Sequence, residues 1–131
     1  MAQTPPHHFK ASMSDGVLVI TITEPQLRGD ALAETLRQEL LDTVAHVSAN
    51  SVVIDLGQVV HLSSAAFRPL LSLRRRLQET GGRMVLCALS PPVLEIFRLL
   101  RLISTSRSYS STFDVEADVP AAVKFLKQNP S

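Results

Sequence analysis

The fold is decided by residues 52–71, which read Val52-Val53-Ile54-Asp55-Leu56-Gly57-Gln58-Val59-Val60-His61-Leu62-Ser63-Ser64-Ala65-Ala66-Phe67-Arg68-Pro69-Leu70-Leu71. An apolar, β-branched run opens this stretch, as expected of a buried strand. Gly57 and Gln58 interrupt it, a second apolar run follows, and paired serines then precede leucines at helical spacing that continue to Gly81-Gly82. The stretch therefore predicts a strand, a connecting loop and a helix whose N-terminus carries small hydroxyl residues beside free backbone N–H groups.

Outside this stretch, alternating and helical apolar patterns predict the remaining strands and helices. These elements are a hairpin (9–13 and 17–22), an amphipathic helix capped by Asp30, a strand (83–89), a helix behind Ser90-Pro91-Pro92, a short edge strand (112–115) and a last helix capped by Asp118. Residues 25–29 are predicted as a loop. This order calls for an α/β fold with a mixed sheet and crossover helices.

Length and composition favour one domain, residues 8–127, between a disordered tail (1–7) and a frayed C-terminus (128–131). Hydrophobic residues make up 45% of the chain, enough for a packed core. The net charge of +1 offers no broad basic face, so we expect no nucleic-acid partner. No signal peptide and no apolar run near membrane-spanning length is present, which predicts a cytoplasmic protein without membrane insertion.

Enzymatic chemistry finds little support in the motifs, and we expect neither a cofactor nor a metal site. The chain has no Gly-x-Ser-x-Gly elbow, no phosphate-binding glycine-rich loop and no metal-ligand spacing. His61 and Ser63 would share a face in an extended segment, so a small serine hydrolase stays open as a minor hypothesis. Cys87, the single cysteine, lies in an apolar run that is typical of a buried structural thiol.

The central stretch resembles the signature of STAS domains, the anti-sigma-factor antagonist family. In that signature a strand ending near Asp-Leu leads to Asp-Ser-Ser/Thr-Gly at a helix start. Aligned without gaps from Asp55-Leu56, it falls on residues 63–66. Ser63 and Ala66 then replace the family's Asp and Gly, and Ala65 occupies the usual phosphorylation position. The strand, Ser-Pro and helix of residues 84–93 resemble a second family stretch.

The resemblance covers residues 8–127 and implies the STAS fold, a four- to five-stranded mixed sheet with helices packed mainly on one face. It also implies an adaptor that binds a kinase-type anti-sigma factor through the loop and helix start at 61–68. The implied interface residues are His61, Ser63, Ser64, Ala65, Ala66, Phe67 and Arg68.

Phosphorylation of the family's acceptor adds roughly −1.5 to −2 charges and breaks the contact with the kinase. Ser64 and Ser63 are the candidate phosphoacceptors here, so phosphoregulation has either moved to Ser64 or been lost. Ser63 is more simply interpreted as an N-cap that replaces the family's Asp. Pro69 leaves two possibilities for the helix: an irregular first turn, or a start near Arg68.

Two further partner hypotheses stay open. The alternative function is a STAS subunit of a membrane transport (ABC-type) complex, in which the same helix face docks a transporter ATPase. The other hypothesis is a homodimer, formed through the exposed sheet edge or through the arginine-bearing second helix.

Overall fold

The computed structural model describes residues 8–99 and 113–128. The predicted tail 1–7 and the end of the chain, 129–131, lie outside these ranges, as does Thr112 of the predicted edge strand. The strands are β1 (Phe9–Ser14), β2 (Val17–Ile22), β3 (Gln26–Leu27), β4 (Ser51–Asp55), β5 (His61–Leu62), β6 (Arg83–Cys87) and β7 (Asp114–Glu116). The helices are α1 (Asp30–Val47), α2 (Phe67–Glu79), α3 (Pro91–Leu99) and α4 (Val119–Gln128).

Five strands form one mixed sheet in the order β1-β2-β4-β6-β7. β1 and β2 are an antiparallel hairpin, and every other pairing in this sheet is parallel. Asp15 and Gly16 close the hairpin with φ of 51° and 81°, the left-handed pair that a two-residue turn between twisted strands requires. The predicted α/β class and the mixed sheet are confirmed.

Alternate side chains of the buried strands serve two different cores. On one face, Val52 and Ile54 of β4 pack with leucines of α1 and α2 and with Phe97 of α3. On the other face, Val53 packs with α4 through side chains such as Val123. Three helices therefore cover one face and α4 covers the other, which agrees with helices placed mainly on one side.

A second, two-stranded sheet corrects the prediction for residues 25–29. Gln26–Leu27 of the predicted loop pairs in parallel with His61–Leu62, so His61 lies in a strand and not in a loop. Each strand has only two residues, which is too short for an alternating pattern to show in the sequence.

The start of α1 also differs from its prediction. Gly29, with φ of 91°, precedes the helix, and Asp30 is the first helical residue and not its N-cap. The Asp30 carboxylate accepts a hydrogen bond from Arg68 of α2, 2.5 Å away. The predicted cap of α4 is confirmed, because the carboxylate of Asp118 accepts a hydrogen bond from the backbone N–H of Ala121 in the first turn of that helix.

The chain enters α2 through an irregular turn, which is the first of the two possibilities that Pro69 left open. A 3₁₀ turn, Ser64–Ala66, leads directly into α2, and Pro69 is the third residue of that helix and buried. A proline costs little at that position, because the N–H groups of the first helical turn have no acceptor within the helix. Within residues 8–99 and 113–128, no helix combines the length and the apolar character needed to cross a bilayer.

Candidate functional site

The loop between β4 and β5 is held from below by two buried apolar side chains. Leu56 and Val59 are fully buried, whereas Gly57 and Gln58 between them are exposed. The carboxylate of Asp55 accepts the N–H of Gly57 at 2.8 Å, which fixes the first turn of the loop. Val60, the next residue, is 56% exposed. Buried side chains and a hydrogen bond therefore hold the loop in place, and the loop presents one apolar side chain to solvent.

Backbone hydrogen bonds fix the segment that follows. The carbonyl oxygen of Pro25 accepts the N–H groups of Val60 and His61, at 2.8 and 3.1 Å. The carbonyl of Leu27 accepts the N–H of Ser63 at 2.9 Å. These bonds join the segment to β3, so its position is independent of the side chains that it exposes.

Ser90, at the start of α3, makes a further tie to the loop. Its hydroxyl donates to the carbonyl oxygen of Val59 at 3.1 Å. A serine directly before a helix is typical of an N-cap, but the Ser90 side chain binds the neighbouring loop, while its backbone carbonyl accepts the N–H of Leu94. Sequence reasoning missed this role because the partner lies 31 residues away in the chain.

The predicted interface residues fall into three groups by exposure. His61, Ser64 and Arg68 are exposed, and Ser63 and Ala65 are half-buried. Ala66 and Phe67 are buried, and the Phe67 ring packs edge-on against Phe97, with centroids 4.9 Å apart. The latter two therefore hold the segment in the core and are not available for contact in this structure. Val60 was missing from the predicted set. Nothing in the Val59-Val60 pair shows which side chain points outward.

The two candidate phosphoacceptors differ in accessibility. The Ser63 Oγ atom is shielded from solvent and has no hydrogen-bond partner among residues 8–99 and 113–128. The Ser63 backbone has the extended geometry of an N-cap (φ −87°, ψ 166°), and its carbonyl accepts the N–H of Ala66, but its hydroxyl caps no N–H group. The capping role predicted for its side chain is therefore wrong. Ser64 is exposed and is the hydroxyl of this pair that an enzyme can reach.

Arg68 links the segment to α1. Its guanidinium donates to the Asp30 carboxylate, and both side chains are mostly exposed, so the pair exchanges readily with other charged groups. Neighbouring Arg37 pairs with Glu34 at 2.6 Å, and this contact holds the pKa of the Glu34 carboxyl below its ordinary value.

Ser63 and His61 do not form the pair on which the hydrolase hypothesis depends. An activated serine needs a hydrogen bond to a base, and among the described residues the Ser63 hydroxyl has no such bond to His61 or to any other group. Burial, with a smaller contribution from the charges of Asp55 and Asp118, raises the pKa of the Cys87 thiol to about 12, which keeps it protonated and unreactive. In the part of the chain that the structure describes, no three metal-ligating side chains cluster.

Comparison with known proteins finds a family model and a protein that are similar in sequence to this chain. The family model described as STAS domain matches residues 8–118. A Bordetella bronchiseptica protein, BtrV, whose name assigns it provisionally as an anti-sigma factor antagonist, is 34% identical over 90 residues, which are 69% of this chain and 75% of that protein.

Solved structures share the fold at low sequence identity. The Thermotoga maritima protein TM1081, described provisionally as an anti-sigma factor antagonist, matches with a TM-score of 0.77 and 14% identity, over 92% of this chain and 96% of that one. The murine anion transporter Slc26a9 contains a similar region, with a TM-score of 0.69 and 17% identity, over 87% of this chain but 18% of the transporter.

Proposed function

This chain belongs to the STAS domain family, and from that premise we propose that it is a non-enzymatic partner-switching adaptor. It binds a kinase-type anti-sigma factor in the bacterial cytoplasm and thereby releases a sigma factor. The contact surface is the docking segment, which we define as residues 60–68. The similarity to BtrV supports the choice of an anti-sigma factor as partner.

One observation carries this proposal: the docking segment is exposed and held in place by its backbone. Val60, His61, Ser64 and Arg68 all reach solvent, in a segment whose backbone is hydrogen-bonded to β3. An apolar side chain surrounded by polar ones on a rigid support is typical of the centre of a protein interface. Because the segment is already ordered, binding does not pay the entropy of fixing it.

Phosphoregulation takes one of two forms under this proposal. If it has moved to Ser64, a phosphate adds roughly two negative charges to the exposed start of the helix and excludes an acidic kinase surface. If it has been lost, the protein stays permanently competent to bind. Ser63 is not used in either form, since its hydroxyl is shielded in the folded protein.

Binding is tested with the full chain and the kinase-type anti-sigma factors encoded in the same genome, each titrated by calorimetry in the presence of ADP. We expect one of them to bind, and Val60→Asp to weaken that complex at least about tenfold by placing an unpaired charge at the interface. Lys124→Glu, on the exposed side of α4, is the matched control and leaves affinity unchanged. Absence of binding, or equal effects of the two variants, contradicts the proposal.

The state of Ser64 is tested separately by mass spectrometry after incubation of the chain with the bound kinase and ATP. Phosphate on Ser64 that disappears in Ser64→Ala supports the moved site. Unmodified Ser63 and Ser64, together with intact binding, support the loss of regulation. Phosphate on Ser63 in the folded chain would contradict the assignment.

The second candidate is a STAS subunit of a membrane transport complex, favoured by the recurrence of the fold within an anion transporter. In this case the docking segment contacts a transporter ATPase and needs no phosphorylation. A pull-down with the tagged chain separates the two functions. Recovery of a histidine-kinase-like ATPase supports the first, and recovery of a transporter ATPase with its permease supports the second.

A further inference from the structure

A groove of about 780 Å³ runs between α1 and α2, away from the sheet. Its two walls carry opposite charge. Among the residues that line the groove, α1 contributes Glu34, Asp42 and Arg37, a net charge of −1. α2 contributes Arg68, Arg75, Arg76 and Glu79, a net charge of +2. The sequence places these charges in separate helices, and the fold brings the helices side by side.

Several of the groove charges have no ion-pair partner among the residues that the structure describes. Glu34 pairs with Arg37, and Arg68 pairs with Asp30. In the described part of the chain, Asp42 of the acidic wall and Arg75 and Arg76 of the basic wall form no ion pair, although all three line the groove.

The centre of the groove is apolar. Leu71, which is 38% exposed, and the partly buried Leu41 lie between the charged walls. An exposed leucine flanked by charges of both signs fits a surface that has a mixed-charge complement.

The topology determines which surface complements this one. β2, β4 and β6 run parallel, and α1 and α2 are the successive connections between them, so the two helices run in the same direction. A two-fold axis along that direction places α1 of one copy opposite α2 of the other, twice in the same interface. Each contact then brings a wall with a net charge of −1 against a wall with a net charge of +2.

We propose that two copies of this chain associate through the α1–α2 groove, with the acidic wall of each against the basic wall of the other. This self-association goes beyond the proposed function and does not depend on an anti-sigma factor. Its attraction comes from exposed charges, each of which contributes little, so the dimer is weak and sensitive to salt.

Sedimentation velocity of the full chain tests the proposal. We expect a reversible monomer–dimer equilibrium below about 1 mM protein in low salt, and a dissociation constant at least about tenfold higher in ~500 mM than in ~50 mM NaCl. A chain that stays monomeric under both conditions overturns the proposal. This holds even where the groove binds a different protein.

Charge reversal identifies the interface. Arg75→Glu with Arg76→Glu changes the charge that α2 contributes to the groove from +2 to −2. Glu34→Lys with Asp42→Lys changes the charge that α1 contributes to the groove from −1 to +3. Each double variant alone places like charges opposite each other at both contacts and is expected to be monomeric. Mixed in equal amounts, the two variants meet with opposite charges at both contacts and are expected to form a heterodimer.

Lys10→Glu with Lys124→Glu is the matched control, because it changes the net charge by the same amount at exposed positions outside the groove. It is expected to leave the dimer largely intact. Circular dichroism and urea midpoints verify that every variant is folded. Equal loss of dimer in the control, a dimer that survives both reversals, or a mixture that stays monomeric each overturns the proposal.

Discussion

The substitution Ser63→Ala separates two physical accounts of the start of α2. A serine whose hydroxyl caps a helix loses about 0.5–2 kcal/mol of stability when it is replaced by alanine. A serine whose hydroxyl is buried without a partner behaves in the opposite way, because the desolvated group costs about 1–3 kcal/mol and alanine removes that cost. The structure places the Ser63 Oγ atom in the second category.

The magnitude follows from the surroundings of Ser63. The residue as a whole is half-buried, and a methyl group in place of the hydroxymethyl group leaves only a small void. We therefore take the lower end of the range and expect Ser63→Ala to raise the free energy of unfolding by 0 to about 1 kcal/mol. With a urea m-value of about 2 kcal/mol/M, the upper limit corresponds to a midpoint shift of about 0.5 M.

Equilibrium unfolding in urea, followed by circular dichroism, measures this shift. Ser64→Ala is the matched control, because Ser64 is the exposed neighbour and its replacement is expected to stay within about 0.5 kcal/mol of the wild type. A loss of 0.5 kcal/mol or more in Ser63→Ala, at an unchanged m-value, would refute the unpartnered hydroxyl and restore the capping role.

Three further substitutions or reactions test the packing of the fold. Gly82→Ala should lose more than about 2 kcal/mol, because the added Cβ atom would lie 2.4 Å from the backbone oxygen of Asn50 and the chain would have to move. Ser90→Ala should lose about 1 kcal/mol with its bond to the Val59 carbonyl, and amide hydrogen exchange in the loop should accelerate. The Cys87 thiol, with its pKa raised to about 12 by burial, should resist alkylation at pH 8 until urea unfolds the chain. Because the thiol ionises at lower pH in the unfolded chain than in the folded one, the stability that the buried neutral thiol contributes should be lost between about pH 9 and pH 12.

Each of these tests has a control or a contrary result of its own. Gly81→Ala adds its Cβ atom in open space, at φ of 77°, and should cost only about 1 kcal/mol, less than Gly82→Ala. Ser12→Ala, on the exposed edge strand, should leave both stability and loop exchange unchanged. Rapid alkylation of the folded protein at pH 8 would show that the thiol is accessible and would contradict its burial.

The sequence was sufficient for the order of the long strands and helices because each of them has an apolar pattern of its own period. Residues 17–22 and 52–55 contain enough β-branched side chains to indicate buried strands, and both are strands in the structure. The two-residue strands β3 and β5 gave no such signal, since their pairing depends on backbone bonds between segments more than 30 residues apart.

The sequence predicts a position for the candidate site but not the orientation of its side chains. The pattern assigns the candidate site to the start of the second helix, yet it could not show that Val60 points to solvent or that the Ser63 hydroxyl points inward. Both facts depend on how β5 pairs with β3, which decides which face of the segment packs against the core. The opposite charges of α1 and α2 were present in the sequence as well, but only their packing as neighbours creates a groove.

Main-chain hydrogen bonds fasten the start of the docking segment, with Pro25 and Leu27 supplying the carbonyl oxygens. Such a joint does not depend on which amino acids occupy the outward-facing positions. Mutations at Val60, His61 or Ser64 can therefore accumulate without loosening the support, so that a duplicated copy of this protein is free to acquire a new binding specificity while its architecture stays the same.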